Sequence, residues 1–86
     1  MITTSKLKEY IEGGHDKYKI AQWLLNVNIA KHIPMTLNDL RDSSVVADEV
    51  EAIVECLEQG DYKDALNLAE EGAMLILEEE GFEISS

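Results

Sequence analysis

Two helical periodicities separated by a single Gly-Asp pair constrain this chain more than any other feature. Val46, Val50, Ile53, Val54 and Leu57 follow the i, i+4, i+7, i+8, i+11 pattern of one buried stripe, and Gln59-Gly60 closes that helix. Asp61 then stands as the cap of a helix over about residues 62 to 80, with Tyr62, Ala65, Leu66, Ala69, Ala73 and Ile76 on one face and a stop at Gly81-Phe82. So short a connection leaves the two helices side by side as a hairpin. Leu68, Gly72 and Leu75 form a second apolar seam on the later helix, and Gly72 costs it roughly 1 kcal/mol against Ala unless close packing uses the missing side chain. That seam takes either a neighbouring helix or a second subunit.

The earlier residues supply partners for the hairpin. Ser5 is a plausible cap for a short helix over about residues 6 to 12, with Leu7, Tyr10 and Ile11 at helical spacing and Gly13-Gly14 as the stop. Asp16 caps a second helix of about residues 17 to 32, in which Ile20, Trp23, Leu24, Val27 and Ala30 share one side and Tyr18, Leu25 and Ile29 another. A helix apolar over most of its circumference belongs at the centre. Val27 and Ile29 could also suit a strand, but no second alternating run exists to pair with it. Pro34 ends the helix, Thr36-Leu37-Asn38-Asp39 has the form of a capping box with Asp in place of Glu, and Ser43-Ser44 interrupts or recaps the helical turn begun there. The expected fold is all-α, a compact four-helix bundle forming a single domain over residues 1–86. It has a short first helix, a central second helix, a hairpin of helices three and four, and up-down topology.

A chain of 86 residues is too short for a large buried core, so function belongs to a surface or a shallow groove. With 45% apolar, 29% charged and 6% aromatic residues the composition is that of a folding globular chain. Trp23-Leu24-Leu25 and Met74-Leu75-Ile76-Leu77 fall far short of the roughly 20 residues of a membrane span. Met1 to Glu9 lacks the apolar core of a secretory signal, so a cytoplasmic setting is expected, that of the host if the chain is phage-encoded. The lone Cys56 has no partner for an internal disulfide and reads as a small packing residue. His15 and His32 lie far apart without a second ligand at i+3 or i+4, so no metal is expected. Gly13-Gly14 lacks the preceding strand and the Lys-Ser/Thr of a phosphate loop, and no Ser, Thr or Cys sits in a nucleophile motif. No cofactor and no catalysis are expected.

Charge is the feature left to explain. The net of −11 is unevenly spread: residues 1 to 33 hold five bases and three acids, and residues 34 to 86 hold two bases and fifteen acids. That acidity argues against direct nucleic-acid binding. Asp48, Glu51, Glu55 and Glu58 line up at i, i+3, i+7 and i+10 opposite the apolar stripe of helix three. Asp64, Glu71 and Glu78 repeat every seven residues on helix four, with Glu70, Glu79 and Glu80 adding to the field. Like charges at such spacings cost a helix a few tenths of a kcal/mol per pair, more than solubility alone requires. A basic partner would account for it; partial neutralisation by Lys6, Lys8, Lys17, Lys19 and Lys31 is the plainer alternative.

The stretch Glu58-Gln59-Gly60-Asp61-Tyr62-Lys63-Asp64-Ala65-Leu66 resembles the inter-helix turn of a tetratricopeptide repeat. Ile53 and Cys56 stand where that family has a small residue and an aromatic, Ala69 replaces the aromatic of its second helix, and Leu77 occupies the place of its closing Pro. An array of about three 34-residue units also exceeds this chain, so the likeness is a shared hairpin solution, with Gly permitting the turn. In size, acidity and lack of catalytic motifs the chain is similar to the small inhibitors that phages and bacteria direct at nucleases. These include DNA-mimic anti-restriction and anti-CRISPR proteins and colicin-type immunity proteins. The resemblance implies a regulator or inhibitor that docks its carboxylate-rich helices on the basic surface of a nuclease or DNA-binding protein. The alternative is an adaptor that homo-oligomerises through Leu68, Gly72 and Leu75 or through exposed aromatics; a subunit completing a larger enzyme is a third reading.

Overall fold

The computed structural model describes residues 2–34 and 44–81, and its architecture is set by how each helix begins and stops. Helix α1 spans Thr4–Glu12, and Thr3 caps it from an extended backbone, its Oγ1 accepting the Lys6 N–H at 3.3 Å. The expected cap, Ser5, lies inside the helix. Three hydroxyl residues in succession offer equivalent caps, and starting at Thr3 gives α1 the extra half-turn. At the other end Gly14 adopts φ 85°, its N–H reaches the Ile11 carbonyl, and the His15 N–H reaches that of Tyr10, both at 3.1 Å. This is a Schellman closure, in which the left-handed residue must lack a Cβ to avoid strain.

Helix α2 spans Lys17–Ala30, with Asp16 Oδ1 accepting the Tyr18 N–H at 2.8 Å as expected. It stops slightly early, because Lys31 and His32 donate to Asn28 and Ile29, three residues back, tightening the chain ahead of Pro34. Its buried residues are Ile20, Ala21, Leu24, Leu25 and Ile29. The two expected faces are therefore mixed: Ile20, Leu24, Leu25 and Ile29 turn inward together, Val27 is half-buried, and Tyr18, Trp23 and Ala30 are exposed. In a helix apolar nearly all round, sequence periodicity gives no direction, and packing on the hairpin decides it.

Helix α3 spans Ser44–Gln59 and α4 spans Tyr62–Glu79. Between them Gly60 takes φ 79°, its N–H donates to the Leu57 carbonyl at 3.3 Å, and that of Asp61 donates to Cys56 at 2.9 Å. The Schellman closure of α3 consumes the whole connection. Asp61 consequently differs from the expected side-chain cap. With ψ at 66° it leaves the extended region used by Thr3 and Asp16, and its carboxylate makes no capping bond; only its carbonyl enters α4, accepting from Ala65 at 3.0 Å. The capping box at Thr36–Asp39, Ser43 and the apolar contact of Phe82 lie outside the described residues.

The result is an all-α four-helix bundle among the described residues. Every position of the expected α3 stripe, Val46, Val50, Ile53, Val54 and Leu57, is buried. Ala65, Ala69 and Ala73 on α4 let neighbouring backbones approach closely, and α1, α2 and α3 all pack on that helix. Helix α2 shares the centre, lying on both helices of the hairpin and meeting α1 where the ring of Tyr10 stands edge-on to Trp23, 5.5 Å between centroids. Leu7 is the buried anchor of α1. No polar or charged residue among those described is buried, so the core is held by apolar burial, roughly 1.5–3 kcal/mol per large side chain.

Candidate functional site

The amphipathic hairpin that fills the core also decides where the charge goes. With Val46, Val50, Ile53, Val54 and Leu57 turned inward, Asp48, Glu51, Glu55 and Glu58 are all exposed on α3. On α4, burial of Ala65, Ala69, Gly72, Ala73, Ile76 and Leu77 leaves Asp64, Glu71 and Glu78 exposed, with Glu70, Glu79 and Glu80. Residues 44–81 contain twelve acids and one base, Lys63.

No ion pair among the described residues joins the first half to the acids of α3 and α4. Among the described residues the ion pairs are Lys6 with Glu9 at 3.7 Å and Lys8 with Glu12 at 3.9 Å, both within α1 and both exposed. The Lys31 ammonium donates to Asn28 Oδ1 at 3.4 Å. Within the hairpin, Gln59 Nε2 donates to Glu55 Oε1 at 3.4 Å, a neutral contact that leaves the charge of the row intact. None of the lysines expected to offset the acids of the hairpin makes an ion pair with them among the described residues.

One acid that periodicity did not single out links the two rows. Glu49 is half-buried, and its side chain lies across Gly72 so closely that a Cβ there would stand 2.7 Å from Oε2 and 3.2 Å from Cδ and Cγ. Burial, then the charges of Asp48 and Glu71, hold its carboxyl above the usual carboxylate range. Asp48 belongs to the α3 row and Glu71 to the α4 row, so Glu49 stands where the two fields meet. Toward the turn, burial followed by the charges of Asp64, Asp61 and Glu55 pushes the half-buried Cys56 thiol up. Glu49 beside Glu71 and Gly72, with Cys56 near Asp64, is the order expected of antiparallel helices. The available signal was the pairing of an unexplained mid-helix glycine with an acid on the flank of the facing stripe.

The Leu68, Gly72, Leu75 seam is divided. Leu68 is half-buried against the core, Gly72 is buried beneath Glu49, and Leu75 remains 48% exposed beside Met74 at 41%. Elsewhere, Tyr10, His15, Asp16, Lys19, Ile20 and Trp23 line an open groove of about 260 Å³ between α1 and α2. His15 and Trp23 both stand edge-on to Tyr10, an arrangement that seats the two helices on each other. His15 and His32 are exposed, and the described residues contain no cluster of three or more side chains suited to a metal ion. No described helix is long and apolar enough to cross a membrane.

No protein family, curated protein or solved structure matches this chain. The functional reading accordingly rests on the charge and packing of its own residues.

Proposed function

We propose that this protein is a small non-enzymatic regulator or inhibitor that docks the acidic outer face of α3 and α4 on a basic protein surface. Asp48, Glu51, Glu55 and Glu58 make the first contacts, and Asp64, Glu71 and Glu78 extend them. The observation that carries the reading is the imbalance of charge: twelve acids share the described hairpin with one lysine, and the described ion pairs lie in α1. Holding such a field together costs stability, and a basic partner recovers the cost on binding while the field speeds encounter. A nuclease or DNA-binding protein fits as target, because its groove already accepts closely spaced negative charge.

Charge reversal tests this. The double variant Glu51→Lys, Glu55→Lys changes two exposed positions opposite the buried stripe, so fold and oligomeric state are expected to persist by circular dichroism and light scattering. Capture of a basic partner from a lysate of the source organism is expected to disappear. Undiminished capture by the variant would contradict docking through the α3 row.

A further inference from the structure

We infer that α4 carries a heptad stripe that accepts a basic amphipathic helix of the partner; the inference rests on the charge-driven docking of the hairpin and specifies what part of the partner α4 receives. Asp64, Leu68, Glu71, Leu75 and Glu78 succeed one another at spacings of four, three, four and three. Their mean period of 3.5 is the one at which side chains keep to a single line against a second helix. The core uses this line only at Leu68, half-buried against it; the three acids are exposed, and Leu75 is 48% exposed with Met74 beside it at 41%. An isolated exposed leucine needs no explanation. Here each leucine is bracketed a turn before and a turn after by a carboxylate, and no base interrupts the line.

That alternation selects the occupant. Its apolar residues must recur at heptad spacing to meet Leu68 and Leu75, and lysines or arginines must flank them to meet Asp64, Glu71 and Glu78. Pairing of α4 with α4 of a second copy is disfavoured, because carboxylates would face carboxylates and the described hairpin has only Lys63 to set against them. Nucleic acid and anionic membrane surfaces are excluded by sign. From Asp64 to Glu78 the stripe runs about 21 Å, four turns of helix, and two leucines make a modest, salt-sensitive interface.

The test uses a fluorescein-labelled synthetic peptide of about 21 residues with leucine at heptad positions and lysine flanking them. A shuffled peptide of the same composition is the control, and anisotropy is followed with the whole protein in about 0.05 M salt. The heptad peptide is expected to bind at least ten-fold more tightly than the shuffled one. Leu75→Ser, at a half-exposed position, is expected to weaken it at least five-fold while the helical circular dichroism spectrum is retained. Glu71→Lys with Glu78→Lys should lose the lysine peptide and gain a counterpart with glutamate in place of lysine. Equal binding of heptad and shuffled peptides, both released by salt and both indifferent to Leu75→Ser, overturns the stripe and leaves the charge-driven reading standing. Failure of either peptide to bind at low salt overturns the stripe and removes support from that reading as well.

Discussion

Replacing Gly72 with alanine probes how α3 and α4 meet, and the sign of its effect is set by the contacts around that residue. In a helix interior the change contributes about 1 kcal/mol through propensity and unfolded-chain entropy. Against this, the new Cβ would stand 2.7 Å from Glu49 Oε2 and 3.2 Å from its Cδ and Cγ. All three atoms belong to a flexible side chain, and the carboxylate is already disfavoured where it lies by burial and by Asp48 and Glu71. Swinging it into water therefore costs little, and the expected balance is a stabilisation of about 0.5–1 kcal/mol at pH 7, a rise in Tm of several degrees. Urea denaturation followed by circular dichroism measures it, and Glu49→Ala completes a double-mutant cycle. With the obstruction removed, Gly72→Ala should give its full gain of about 1 kcal/mol. A loss of more than about 1 kcal/mol in both backgrounds would refute the reasoning, since it would mean that the helix backbones themselves close on Gly72.

Individual groups give further expected outcomes. Because the carboxyl of Glu49 is raised above 4.5 in the folded chain, its stabilising contribution is fully present below that value and is lost as pH rises through the folded one. Lowering the pH from 7 toward 4.5 should therefore raise the urea midpoint, and Glu49→Gln should raise it at pH 7 and flatten the dependence; parallel profiles for the two proteins would contradict this. Asp16→Ala is expected to cost about 1 kcal/mol through the lost bond to the Tyr18 N–H, whereas Asp61→Ala should stay within about 0.5 kcal/mol, as thermal melts can compare. The raised thiol of Cys56 should react with iodoacetamide at pH 8 more slowly than a free thiol and at the ordinary rate in urea, and equal rates in the two conditions would contradict the assignment.

What the sequence disclosed depended on how one-sided each segment is. The stripe from Val46 to Leu57 is apolar on one side and acidic on the other, so its buried and exposed faces could both be read directly. Gly60 announced the turn because its positive φ is one that other residues reach only at a cost. Helix α2 gave less, since Trp23 and Val27 compete with Ala21, Leu25 and Ile29 for the inward direction and only the hairpin's position settles it. Asp61 looked like the cap at Asp16, yet its backbone is committed to closing α3.

The acidic rows were legible for the same reason as the stripes, and Glu49 was not. Its role depends on facing Gly72 across the hairpin, a relation between two helices that no single periodicity contains. The exposure of Leu75 is of the same kind: sequence placed it in an apolar seam, and only packing shows that Glu49 covers Gly72 while Leu75 stays open.

The central claim, that the carboxylates of α3 and α4 serve to meet a basic partner, is tested most directly by immobilising the protein in lysate of its source organism. Retained proteins are then identified by mass spectrometry at about 0.05 M and about 0.5 M salt. The account predicts retention of a basic nuclease or DNA-binding protein at the lower salt and its release at the higher. Recovery of only the protein itself, or of an apolar partner indifferent to salt, would contradict it.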